Sequence, residues 1–173
     1  MVMPRTAVLC HGERMSLFQF SRNDNPAPRK RLTPIVSVGA TDQITATILS
    51  ESVWGLDTHW WRGSTVPHDQ TPGQCAYCIE KAPMKWRGFL YAFLRGRNEL
   101  AFIELTDFAF QRLRKEAEGR ETLRGLIIGL HRERKTVKAP VVIAIVGEEP
   151  AGKTLPKSRT PEETLKRLWK LPG

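Results

Sequence analysis

No apolar run in this chain approaches the roughly 20 residues needed to cross a bilayer. The longest, Val141 to Val146, has the length of a strand, so a soluble protein without a membrane partner is expected. Cysteine is scarce. There are three in 173 residues, Cys10 and the pair Cys75-x-x-Cys78, a poor disulfide framework that suits a reducing, cytoplasmic compartment where thiolates bind metal. The first residues, Met1 to His11, hold one Arg and a short apolar stretch broken by Pro4 with no convincing cleavage site, so export is not expected. Gly-x-Ser-x-Gly and His-Glu-x-x-His are missing, and His131 stands alone among charged residues at a strand end, which argues against an enzyme. Acidic residues are in deficit as well. Against 27 Lys and Arg stand 18 Asp and Glu, a formal charge of +9 that favours a polyanionic partner through counterion release.

What is present divides into four stretches. Residues 1–33 are polar, broken by Pro4, Pro26 and Pro28, and carry the basic cluster Arg29-Lys30-Arg31, which predicts a mobile basic arm. Met15 offers an alternative start within it. Residues 34–148 alternate strand-like runs: Ile44 to Ser50, Arg87 to Leu94, Glu99 to Leu105, Leu123 to Arg132 and Pro140 to Val146. The second and third of these turn back on each other at Gly96-Arg97-Asn98. Between the third and fourth lies an amphipathic helix, Thr106 to Gly119, with a Thr or Asp cap, apolar Phe110, Leu113 and Ala117, and a terminal glycine. Residues 149–159 read as a linker. Residues 160–173 read as a C-terminal helix with Pro at its first position and Leu165, Leu168 and Trp169 on one face.

Strand, strand, strand, helix, strand, strand is the order of a five-stranded OB-like Greek-key barrel, a mainly β (α+β) architecture whose ligand lies across strands 2 and 3. Its first connection carries a long insertion, residues 54–86. There His59, His68, Cys75 and Cys78 follow one another as His-x8-His-x6-Cys-x2-Cys. A tight Cys-x-x-Cys turn lets two thiolates chelate one metal, and two upstream histidines complete a tetrahedral set suited to structural zinc. His59 is the least constrained of the four, with Cys10 and His11 as substitutes from the arm. Four protein ligands leave no open position for catalysis. A redox dithiol would precede a helix in a parallel α/β unit, which this pattern lacks.

Aromatic residues are interleaved with positive charge. Trp60, Trp61, Trp86, Phe89 and Tyr91 fall among Arg62, Lys85 and Arg87, followed by Arg95 and Arg97, and the last strand turn adds Arg132, Arg134, Lys135 and Lys138. Bases stack on such rings while cations follow the phosphates, the combination used by single-strand binders. Period two puts Arg87, Phe89, Tyr91 and Phe93 on one face and Leu90, Ala92 and Leu94 on the other. One face is the core. In one reading the first set stacks on bases; in the other it is the core, with Leu90 and Leu94 under the terminal helix.

Gly147-Glu-Glu-Pro-Ala-Gly-Lys-Thr154 fits the Walker A spacing. Its context refuses it: Pro156 falls where the phosphate-binding helix must begin, and too little chain follows to complete a parallel sheet.

A Cys/His knuckle inserted in an OB-like barrel resembles the zinc-containing single-stranded-DNA-binding proteins of phages and mobile elements, over roughly Ile44 to Val146. The family's ligand order, a His followed by ligands ending in Cys-x-x-Cys, maps onto His59, His68, Cys75 and Cys78. Two departures stand out: His68 takes a place where that type has Cys, and a basic C-terminal helix with Lys166, Arg167 and Lys170 replaces the acidic tail of many members. The resemblance implies a non-catalytic protein of a bacterial or phage-infected cell that coats single-stranded DNA, with replication, recombination or repair proteins as partners. The residues equally allow RNA as the ligand, in a ribonucleoprotein accessory subunit of a defence or translation complex. A third reading is a phage or plasmid protein-interaction module in which zinc and tryptophans serve stability alone.

Overall fold

The computed structural model describes residues 32–69 and 73–169, so the expected arm lies outside the described residues apart from Leu32 and Thr33, as do the last four residues of the expected terminal helix. In chain order the elements are β1 (Ile35–Val36), β2 (Gln43–Ile48), β3 (Trp54–Trp61), β4 (Ser64–Pro67), α1 (Ala76–Ile79), β5 (Met84–Leu94), β6 (Glu99–Thr106), α2 (Asp107–Glu116), β7 (Leu126–Arg132), β8 (Val141–Glu148) and α3 (Glu162–Leu168). The protein is mainly β, built on one mixed sheet in the order β1-β6-β5-β2-β7-β8, with β3 and β4 branching from β5.

Local chemistry accounts for the elements. The β5–β6 hairpin closes with Leu94 opposite Glu99, and Asn98 takes the left-handed conformation at φ 50° that Asn tolerates better than most side chains. Thr106 caps α2 by accepting a hydrogen bond from Ala109 N. Asp107 stands in the first turn and Arg114 and Lys115 in the last, each opposing the helix dipole. Ala109 and Leu113 are its buried positions.

Both faces of β5 are buried, so neither reading of that strand holds alone. Leu90, Ala92 and Leu94 join Ile48, Ile103 and Ile128 in the principal core, covered by α2 through Ala109 and Leu113 and not by the terminal helix. Each large side chain fully buried there contributes about 1.5–3 kcal/mol. On the opposite face Tyr91 packs with Phe102 and Leu49, and Leu155, from the stretch expected to be a linker, covers them.

The sheet is open. Closing a five-stranded barrel would require β6 and β8 to meet, but β1 pairs in parallel with the free edge of β6, Ile35 opposite Phe102. β8 ends the order, and one of its amides, Ile145 N–H, donates to Glu116 Oε2 of α2 at 2.7 Å.

Residues 54–86 are more regular than an inserted loop. β3 pairs with the first half of β5 from Trp54 opposite Phe89 to His59 opposite Met84, and with β4 from Thr58 opposite Pro67 to Trp61 opposite Ser64. The result is a three-stranded ribbon continuous with the main sheet. Its tight turn places Arg62 at φ 46° and Gly63 at φ 85°, the pair of positive φ values that a two-residue hairpin of matching twist requires.

Candidate metal centre and the surrounding surface

The ribbon brings His59, His68, Cys75 and Cys78 together, and one ligand atom from each lies within 4.8 Å of all the others, close enough to hold a metal ion. They arrive by three routes. His59 is on β3 and 1% exposed; His68 follows β4 and is fixed by its amide donating to Asp57 O at 3.0 Å. Cys75 precedes α1 and Cys78 lies within it, so one short helical turn, closed by Cys78 N to Cys75 O at 3.1 Å, presents both sulfurs.

The distances fit a shared cation better than hydrogen bonds among the four. His59 Nε2 lies 3.0 Å from His68 Nδ1 and 3.5 Å from both Cys75 Sγ and Cys78 Sγ, while Cys78 Sγ is 3.6 Å from His68 Nδ1. One ring nitrogen with one lone pair cannot satisfy three neighbours; a cation between them satisfies all four. His59 Nδ1 sits 3.0 Å from Ala82 O, which makes Nδ1 the protonated nitrogen and leaves Nε2 free to coordinate, the usual outer support for a ligating imidazole.

The two thiols are held in opposite senses. Burial pushes Cys75 up, but the backbone amides of Asp69, Cys78 and Tyr77, together with His68, outweigh it and bring the thiol down to about 6. Cys78 is raised, first by desolvation and then by hydrogen bonding to Cys75 and the nearby charge it carries. A cation would relieve that mutual repulsion. Tyr77, between the cysteines, packs its ring 5.8 Å from His59 and 6.0 Å from Trp61. Its place inside the Cys-x-x-Cys turn is the signal that the sequence carries for this role.

The residues expected to contact nucleic acid separate into groups. On the ribbon, Trp60 is 50% exposed, Arg62 and Lys85 are exposed, and the Arg62 guanidinium lies 5.1 Å from the centre of the half-buried Trp61 ring. Trp86 is placed elsewhere. It faces α2, with Phe110 at 4.7 Å, and lies flat over Gly55 and Gly88, where an added Cβ would come within 2.4 Å of its ring. Arg87 is tied to Glu104 at 3.0 Å. Phe89 and Tyr91, at 4% and 2% exposure, present no free ring face.

A second group lies at the far end of the sheet. Arg95 and Arg97 follow β5, and Arg134, Lys135 and Lys138 occupy the β7–β8 loop. Both sites flank the start of β2, since Arg95 N donates to Thr45 O at 2.9 Å and Gln43 pairs with His131. Arg132 has a structural task there, donating to Val38 O at 2.9 Å and Ala139 O at 2.6 Å. Lys85 and Arg95 stand ten residues apart on one chain segment, about 33 Å at the rise of a strand.

The Walker-like segment binds itself. Lys153 Nζ donates to Glu149 Oε2 at 2.8 Å, Thr47 Oγ1 donates to Glu149 Oε1 at 2.8 Å, and no helix opens after Thr154 until Glu162. Among the described residues no helix is long and apolar enough to cross a membrane. Comparison with family models, curated proteins and solved structures finds no match to the chain.

Proposed function

We propose that the chain is a non-catalytic, single-stranded nucleic-acid-binding protein, with DNA the favoured ligand, whose ribbon is stiffened by one structural zinc ion. The observation that carries this reading is Trp60. It is half exposed on a strand whose neighbour His59 is buried in the candidate metal cluster, with exposed Arg62 two residues further on and exposed Lys85 opposite Thr58 in the β3–β5 pair. A large ring held facing solvent on a rigid strand offers a base a stacking surface at little cost in side-chain freedom, and stacking of this kind is worth about 1–3 kcal/mol per base.

Zinc is the metal the donor set favours. In a regular tetrahedron with Zn–N near 2.05 Å and Zn–S near 2.3 Å, a nitrogen-to-sulfur edge is about 3.5 Å and a nitrogen-to-nitrogen edge about 3.3 Å. Three of the four nitrogen-to-sulfur edges, at 3.5, 3.5 and 3.6 Å, match, and the nitrogen pair at 3.0 Å needs only a small outward shift. Two imidazoles and two thiolates fill the shell, so the ion would brace the ribbon and leave no position for substrate.

The sheet connectivity supports the OB-like part of the reading. β2 pairs with β5 and β7, β5 with β6, and β7 with β8, with α2 between the third and fourth of these strands. We read it as a barrel of that type left open where β1 takes the edge of β6. The test is metal analysis of protein purified under reducing conditions, paired with titration of a fluorescein-labelled oligothymidylate against the parent and Trp60→Ala. One zinc per chain and a roughly 5- to 150-fold loss of affinity in the variant are expected, the span of a lost stacking contact. A metal-free folded protein, or an unchanged affinity, would overturn the corresponding half of the proposal.

A further inference from the structure

In a barrel of this type the ligand face of the second and third strands is open, and here that face is occupied. Phe89, Tyr91 and Phe102 lie at 4%, 2% and 1% exposure, beneath the chain that runs from Glu149 through α3. Leu155 packs against the Tyr91 and Phe102 cluster, and Leu165, 2% exposed, lines a groove of about 700 Å³ together with Phe89.

This strap is fastened along its length. At its start the Glu149 carboxylate takes hydrogen bonds from Thr47 and Lys153 and an ion pair from Arg95. In the middle Arg124 Nη2 donates to Leu155 O at 3.1 Å and to Pro156 O at 2.7 Å. Near its end the Thr164 hydroxyl meets Thr33 O at 3.5 Å, and Leu168 and Trp169 lie beside Ser64 to Asp69 of the ribbon. It therefore begins at the far basic end of the sheet and finishes at the metal ribbon, joining the two cationic sites that β5 holds about 33 Å apart.

Its outer surface is charged. Lys157, Arg159 and Arg167 are exposed, and among the described residues none of the three meets a carboxylate, whereas Lys153 pairs with Glu149 and Lys166 with Glu162. Exposed and without carboxylate partners among the described residues, these three cations are free to meet the phosphates of a polyanion.

We infer that the strap is part of the nucleic-acid interface: the phosphates of one strand run from Arg62 and Lys85 over Arg167, Arg159 and Lys157 towards Arg97, and the β5–β6 aromatic row beneath serves as core. This rests on the proposed function and deepens it. The test compares the parent, Lys157→Ala/Arg159→Ala/Arg167→Ala and Trp60→Ala for binding of a 20-residue labelled oligothymidylate over a range of salt. Zinc content and circular dichroism of each variant confirm the fold.

Each phosphate contact on a single strand contributes about 0.7 to the slope of log affinity against log salt. The triple variant is expected to lose about two from that slope and tenfold or more in affinity, with Trp60 quenching at saturation unchanged. An unchanged slope with Trp60→Ala still impaired would overturn the strap interface alone. Tighter binding by the triple variant would also overturn it, by making the strap a lid over Tyr91 and Phe102. No binding by the parent would overturn the underlying reading with it.

Discussion

Trp86 offers a sharp test of how the ribbon is joined to the sheet. Its indole covers Gly55 and Gly88, paired across β3 and β5, and an added Cβ at Gly55 would fall 2.4 Å from Trp86 Cζ2 and 2.8 Å from both Cε2 and Nε1, with no other neighbour among its nearest contacts. A rigid ring packed on Phe110 at 4.7 Å cannot give by that much in place. Gly55→Ala should therefore cost about 1–3 kcal/mol, the usual range for overpacking. Trp86→Ala should itself cost about 3 kcal/mol, the low end for loss of a large aromatic because the ring is only half buried. In the Trp86→Ala background the three atoms nearest the added methyl are gone, and Gly55→Ala should turn neutral or stabilise by up to about 1 kcal/mol through the unfolded chain. Urea unfolding of the four proteins, zinc-loaded and followed by circular dichroism, closes the cycle with an expected coupling above about 1 kcal/mol. An equal cost of Gly55→Ala in both backgrounds would refute the packing argument and return Trp86 to the list of free stacking residues.

Three further outcomes are expected. Cys75→Ser and His68→Ala should each abolish stoichiometric metal binding and raise amide exchange in β3, β4 and α1 while leaving the β2–β7 ladder protected, as hydrogen-exchange mass spectrometry would show; uniform loss of protection would contradict a local brace. The Glu149 carboxyl is drawn down to about 2 by hydrogen bonding to Lys153 and Thr47 and by the Arg95 charge, against its burial. A depressed carboxyl stabilises the fold above its ordinary value of 4.5 and loses that contribution as pH falls through 2, so Glu149→Gln should flatten the acid limb of the stability profile; an unaltered acid limb would refute it. Lys153→Ala should leave nucleotide binding undetectable, as in the parent, by equilibrium dialysis with labelled ATP; saturable binding lost in the variant would revive a phosphate loop.

The parts of the fold legible in the sequence were those written in local chemistry. The α2 helix shows through Thr106, Leu113 and Gly119, and the β5–β6 hairpin through its apolar runs on either side of Gly96-Arg97-Asn98. The four candidate ligands also stood out, because a chelating Cys-x-x-Cys turn is a short-range pattern. β3 and β4 did not. Gly55, Asp57, Thr58 and His59 break any apolar alternation, since one side of that strand serves Trp86 and the candidate metal site and the other passes from half-buried Trp54 and Leu56 through buried Thr58 to exposed Trp60. The two-sided burial of β5 was hidden for a different reason: what covers Tyr91 is Leu155, one apolar residue in a stretch whose Pro, Gly, Ser and Lys content reads as linker, fixed by Arg124 from elsewhere in the chain. Long-range contacts of that kind leave no local period to detect.

On the proposed reading, exposed base faces and not phosphates alone hold the ligand on the ribbon. The direct measurement is tryptophan fluorescence of the zinc-loaded protein titrated with a single-stranded oligonucleotide and with a duplex of equal length at one salt concentration. Tighter binding of the single strand is expected, with quenching that disappears in Trp60→Ala. Equal affinity for both ligands with unchanged fluorescence would reduce the protein to a generic polycation and contradict that reading.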